Sequence, residues 1–193
     1  MAIETENDVI ALKRRGKIVS MVLHEMLAAV EPGMTTRELD ALGEELLIKH
    51  GARSAPKLTY DFPGYTGISI NEEAAHGIPG DRVIRTGDGL NVDVSAELGG
   101  YLADTGGTRV VPPTNPQKNR LCHATRTALE RAMKQARAGQ PINGIGAAIE
   151  RTANQKLSRA SAATAWAAHC TKNQSTLRAT LTAPIHTCWK RAW

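Results

Sequence analysis

The sequence predicts an α+β protein built from amphipathic helices and an antiparallel hairpin. Two observations carry this. The first is residues 90–111, LNVDVSAELGGYLADTGGTRVV, where Leu90, Val92, Val94 and Ala96 alternate with Asn91, Asp93, Ser95 and Glu97. A period of two marks a half-buried strand. Gly99-Gly100 supplies a two-residue turn, because glycine accepts positive φ. The second is a pair of stretches ahead of the hairpin, residues 7–30 and 35–51, whose apolar residues recur at helical spacing.

Length and composition set the frame. A chain of 193 residues suggests one domain and allows a sizeable core. Its apolar stretches fall short of the ~20 residues of a membrane span. The start, MAIETEND, has neither a basic nor an apolar leader region, so no secretory signal is expected. Cys122, Cys170 and Cys188 form an odd set without CxxC spacing. That argues against a disulfide framework or structural zinc and for a cytoplasmic protein. The net charge of +5 is unevenly spread. All 19 acidic residues and 18 of the 24 Lys and Arg precede residue 156, and residues 156–193 carry six bases and no acid. An abrupt shift of this kind marks a boundary or a change of origin, not a nucleic-acid surface.

In chain order, residues 7–30 read as a helix with Val9, Leu12, Ile18, Val22 and Met26 on one face and Asn7 or Asp8 as cap. Glu31-Pro32-Gly33 ends it. Thr35 and Glu38 have capping-box spacing, and Leu39, Leu42, Leu46 and Leu47 form the stripe of a second helix ending at Gly51. His24 and His50 fall on these helices and read as structural or surface histidines, not ligands. Residues 52–70 read as loop and then strand, with Gly67 to Ile70 extended. Tyr60, Phe62 and Tyr65 cluster on that loop, where they would either wall an apolar pocket or anchor the loop. His76 sits among turn residues and is suited to hydrogen-bond a substrate amide or move a proton near neutral pH. Residues 116–138 read as a helix with Leu121, Thr125, Ala128, Leu129 and Met133 on its apolar side. Cys122 and His123 are not a ligand pair, since adjacent helical side chains diverge. Gly139-Gln140-Pro141 breaks this helix, and another begins at Ile142.

The hairpin register follows from its turn. Leu98 faces Tyr101 and Asp93 faces Gly106, so Asp93 and Asp104 share a face as a diagonal pair, roughly 7 Å apart. Two carboxylates that close repel unless a proton or a cation lies between them. Hard divalent metals take such oxygen ligands; solvated strand-face aspartates are the alternative.

The run ISINEEAAHGIPGDRVIRTGDGLNVDVSAELGGYLADTGGTRVV, its lead-in DFPGYTG, and the later RLCHATRTALERAMKQARAGQPINGIGAAIERTAN resemble the type I methionine aminopeptidases over about residues 3 to 154. The resemblance implies a pita-bread α+β fold, in which two similar halves sandwich a two-metal site. On it, His76 matches a histidine that contacts the substrate near the scissile bond. Asp93 and Asp104 match two of five metal-ligand side chains, Asp104 the bridging one. Tyr60, Phe62 and Tyr65 become candidates for the methionine pocket. The implied chemistry is metal-dependent removal of the N-terminal methionine from nascent polypeptides by two divalent ions (Co, Mn, Fe or Zn). It implies a cytoplasmic monomer with a ribosome-linked role, and neither DNA nor a membrane as partner.

The resemblance stops near residue 154. The family next needs a histidine in GHGxG, a glutamate in an IEP-like strand and a second bridging glutamate, and the tail has none of them. Back-translated and read one base earlier, residues 163–177 allow GHGVGRALHEEPEHI, and residues 187–193 allow LLEKGM. The expectation is a metallopeptidase domain over 1–155, incomplete, followed by an out-of-frame basic tail over 156–193. With two of five ligands, the chain is expected to bind metal poorly and to have little or no peptidase activity. Two other readings are open: a non-catalytic binding protein or remnant of this fold, disfavoured because His76, Asp93 and Asp104 stand together, and a related hydrolase such as an Xaa-Pro dipeptidase, disfavoured by the compact N-terminus.

Overall fold

The computed structural model describes residues 3–156. The expected tail, residues 156–193, with its cysteines Cys170 and Cys188, lies outside the described residues apart from Lys156. The described residues divide into two compact units, one over Thr5–Asn115 and the other comprising residues 3–4 and 116–156.

The larger unit opens with α1 (Glu6–Ala29) and α2 (Thr36–Lys49). Each is started by a reciprocal capping box. In α1 the cap is Thr5, not Asn7 or Asp8: Thr5 Oγ1 accepts from the Asp8 amide at 3.2 Å, and the Asp8 carboxylate accepts from the Thr5 amide at 2.7 Å. Asp8 thus acts as the third helical residue, satisfying an otherwise orphaned N–H from within the helix. In α2, Thr35 and Glu38 do the same, as their spacing predicts. Ile18, Val22 and Met26 of α1 and Leu39, Leu46 and Leu47 of α2 are buried.

Residues 52–66 depart from the expected loop. Arg53–Ser54 form a short strand, β1, and Ala55–Tyr60 form a short helix, α3. Ser54 caps that helix and Pro56 stands in its first turn. Proline there is pre-organised for a helix and gives up no needed N–H, so it starts structure instead of only punctuating it.

Strands β2 (Gly67–Ile70), β3 (Gly89–Leu98) and β4 (Tyr101–Val110) complete a four-stranded antiparallel sheet. β3 pairs with β4 along its whole length, while β1 and β2 lie end to end along its other edge. Leu98 pairs with Tyr101, and Gly99 and Gly100 have φ of 61° and 82°, both positive as a two-residue turn requires. Leu90, Val92, Val94 and Ala96 are buried together with Ile68, Ile70, Val22, Met26, Leu39 and Leu47 in one core. Each fully buried aliphatic side chain contributes about 1.5–3 kcal/mol, so this layer is the main support of the sheet. Arg15 ties α1 to the hairpin, donating to the Leu98 carbonyl at 2.8 Å and standing over the Tyr101 ring at 5.0 Å.

The second unit contains α4 (Pro116–Met133) and α5 (Asn143–Lys156), packed on each other. α4 ends earlier than the expected residue 138, because Gln135 and Ala136 bond back three residues and tighten the last turn. Its buried stripe is Ala124, Ala128 and Ala132, whereas Leu129 and Met133, expected on the apolar side, are 54% and 53% exposed. Small residues four apart let a neighbouring helix approach closely. No helix among the described residues is long and apolar enough to cross a membrane.

Candidate metal centre

One face of the β3–β4 hairpin is covered by core side chains. The other presents Asn91, Asp93, Ser95 and Glu97 from β3, opposite Thr108, Gly106, Asp104 and Leu102 from β4. Asp93 pairs with Gly106, and Asp104 pairs with Ser95. The two aspartates therefore stand on the same face, one step apart along the strands, in the register the turn dictates.

Their environments differ. Asp104 is exposed and accepts a hydrogen bond from the Ser95 hydroxyl. Asp93 is half-buried. Burial, the neighbouring Asp104 charge and a hydrogen bond with Asp104 push its carboxyl up to about 7. Asp93 thus holds its proton to higher pH than an ordinary carboxyl does. A group that needs a proton to relieve repulsion between two oxygens is also one that a cation relieves.

His76 lies across Gly67 from Asp93. A Cβ built on Gly67 would stand 3.4 Å from the Asp93 Cβ and 3.9 Å from the His76 Cα. Gly67 is the strand partner of Asp93. His76 itself has φ of 55°, a left-handed conformation that costs a non-glycine residue roughly 1–2 kcal/mol and persists only when its surroundings impose it. The flanking chain is fastened on both sides of it. Arg82 pairs with Glu72 and Glu73, and Thr36 Oγ1 exchanges hydrogen bonds with Gly80 N and O at 2.9 and 3.0 Å.

The three aromatic residues are not used alike. Tyr60 and Phe62 make an edge contact with ring centroids 6.2 Å apart, and Tyr60 is 58% exposed. Tyr65 is fixed from behind. Its amide donates to Asp40, its ring lies 4.1 Å under the Lys57 ammonium, and a hydrogen bond to Glu44 raises its hydroxyl above the usual tyrosine range. Asp40, buried, also accepts from the Thr66 amide at 2.8 Å and the Thr66 hydroxyl at 2.7 Å. It fixes the turn that delivers Gly67 to the site.

The donor set fits a divalent cation in part. Two carboxylates that repel each other supply hard oxygen ligands and negative charge. Among the described residues no group of three His, Cys, Asp or Glu converges, so Asp93 and Asp104 form a pair without a third protein ligand there. Cys122 and His123 do not add one: Cys122 is half-buried on α4, and burial holds its thiol above the usual range, in the protonated form.

The sequence from residue 11 to residue 173 matches the profile of metallopeptidase family M24. The chain belongs to metallopeptidase family M24. Within this family it is 47% identical over 156 residues to the methionine aminopeptidase of Staphylococcus epidermidis, and 41% identical over 150 residues to methionine aminopeptidase 2 of Bacillus subtilis. These matches cover 80% and 77% of this chain but 62% and 60% of the relatives. The M24 chain thus spans about three fifths of their length. Its fold superposes on the methionine aminopeptidase of Rickettsia prowazekii with a TM-score of 0.77 at 32% identity, covering 80% of this chain and 63% of that one. The Pyrococcus furiosus prolidase, at 20% identity and a TM-score of 0.70, covering 80% of this chain and 44% of that one, shares the fold. The fold is that of the pita-bread α+β enzymes, present here in truncated form.

Ser95, Gly67 and Asp40 join the site only through the tertiary structure. Ser95 was visible as a member of the polar face of β3. Nothing local marked Gly67 or Asp40, whose roles depend on contacts between segments far apart in the chain.

Proposed function

We propose that this M24 chain is the first part of a methionine aminopeptidase that removes the N-terminal methionine from nascent polypeptides in the cytoplasm, working as a monomer. The observation that carries this reading is the placement of His76, Gly67 and the Asp93–Asp104 pair together on the open hairpin face. The 47% identity to a methionine aminopeptidase supports it. Asp93 and Asp104 would help to hold two divalent ions (Co, Mn, Fe or Zn). Metals in such a site supply an activated water and stabilise the charge that develops on the peptide carbonyl.

The chain's own residues supply the remainder. His76 is the catalytic residue and contacts the substrate near the scissile bond, where an imidazole hydrogen-bonds the amide. Tyr60 and Phe62 offer an aromatic wall for the methionine side chain. Tyr65 contributes from the position that Glu44 and Lys57 fix. Ser95 holds the Asp104 carboxylate in its orientation. The ribosome is the expected place of action, and neither DNA nor a membrane is a partner.

Residues 1–155 form the metallopeptidase part, and residues 156–193 are an out-of-frame tail whose composition carries no design. The chain as written therefore has little or no peptidase activity. The test compares it with a version in which one base is restored near codons 154–160, each loaded with Co or Mn. Release of methionine from a Met-Ala peptide at a kcat of about 1 per second or more by the restored protein alone bears out the whole reading. The same rate from the chain as written refutes the inactive-tail part. Cleavage of an Xaa-Pro peptide in place of Met-Ala refutes the specificity.

A further inference from the structure

We propose that Ser69 is a positioning residue for His76, acting through the Gly77 peptide. The proposal rests on the reading of His76 as the substrate contact beside Asp93. Ser69 lies on β2 opposite Asn91, on the face that carries Asp93. It is 3% exposed, although Asn91 opposite it is half-buried. What lies on Ser69 is the segment that bears His76. The Gly77 amide donates to Ser69 Oγ at 3.1 Å, and the Gly77 carbonyl accepts from the Ile68 amide at 2.9 Å. Two neighbouring residues of β2 therefore grip both polar groups of the residue that follows His76.

The grip is close. A Cβ on Gly77 would fall 2.0 Å from the Ile68 carbonyl oxygen, so no side chain fits there. With the Gly77 peptide fixed against β2, His76 is held in its left-handed conformation with its Cα over Gly67 and next to Asp93. The other fastenings of this segment hold its ends: Arg82 with Glu72 and Glu73, and Thr36 with Gly80. Removing the Ser69 hydroxyl leaves those ends in place and strands one partly buried N–H at the centre, next to the histidine. The result is a folded chain in which the Ile68–Gly77 bond alone still holds the centre of the segment, too little to keep His76 in its left-handed conformation.

The test is NMR on the full 193-residue chain. In the unmodified protein, the Gly77 amide is expected to be protected from hydrogen exchange, and an NOE is expected between the His76 and Gly67 α-protons. In Ser69→Ala, Gly77 exchange should rise tenfold or more and the NOE should vanish, while Ile70 and Val92 keep their protection. Ser69→Thr, which retains the hydroxyl, should restore both signals. Added Mn²⁺ should broaden His76 in the unmodified chain and broaden it less in Ser69→Ala. The proposal is overturned if Ser69→Ala keeps the NOE and the Gly77 protection. It is overturned equally, without any variant, if the Gly77 amide of the unmodified chain exchanges as fast as open loop amides. Mn²⁺ that broadens neither Asp93 nor His76 in the unmodified chain, while Gly77 is protected, overturns the metal reading and with it the service of His76 to that site. That outcome is distinct from a failed grip.

Discussion

Asp93 and Asp104 stand on one face of a hairpin, a single diagonal step apart, and differ in surroundings: Asp93 is half-buried and Asp104 open to solvent. Their closeness and the burial of one member raise the Asp93 carboxyl above the ordinary range.

The first expectation concerns pH. Burial, then the Asp104 charge and hydrogen bond, raise the Asp93 carboxyl to about 7 from an ordinary value near 3.8. A carboxyl raised on folding gives stability that is complete below its unfolded value and lost as pH rises through the folded one. In EDTA, the urea midpoint should therefore fall between pH 4 and pH 7 on account of this group. Asp93→Asn should flatten that decline. Asp104→Asn should lower the Asp93 midpoint seen by carboxyl NMR and still leave it above the ordinary range, because burial is the larger cause.

Metal affinity is the second. With two carboxylates at the site among the described residues, binding of Mn²⁺ should be weak, with a Kd of about 10⁻⁴ M or higher. Either Asp93→Asn or Asp104→Asn should weaken it by at least ~10-fold, and Ser95→Ala, which frees the Asp104 carboxylate to rotate, by a smaller factor. EPR of free Mn²⁺ measures all three.

A third expectation tests the turn before β2. Asp40→Ala removes the acceptor of the Tyr65 amide and of both Thr66 donors. The loss should cost about 3 kcal/mol in urea unfolding, since buried donors are stranded. Asp40→Asn, which keeps one carbonyl acceptor, should cost clearly less.

The two faces of the hairpin give the fourth. Leu90 is fully buried and Leu102 is 52% exposed. Leu90→Ala should destabilise by about 3 kcal/mol, and Leu102→Ala should stay within about 0.5 kcal/mol. Equal losses at both positions would mean that the open face is covered in solution.

The hairpin, its register and its paired carboxylates were legible in the sequence because they depend on local rules. A period of two fixes which side chains share a face, and two glycines fix which residues oppose each other. The capping box of α2 was legible for the same reason. The short helix after Ser54 was not, since Pro56 reads equally well as a helix start and as a break. Of the alanine stripe of α4, Ala128 was legible, whereas Ala124 and Ala132 were not, because alanine carries only a weak hydrophobic signal.

By itself, then, the sequence determined that Asp93 and Asp104 lie together and that His76 sits on a constrained turn. Only the tertiary structure decided what surrounds them. It brought Gly67 between His76 and Asp93, buried Ser69 beneath the segment that carries His76, and gave Asp40 the task of holding the turn before β2. The physical reason is range. Strand register and helix caps are set by neighbours a few residues apart, whereas burial, and the pKa it raises, depend on which distant segments the hydrophobic core has drawn together.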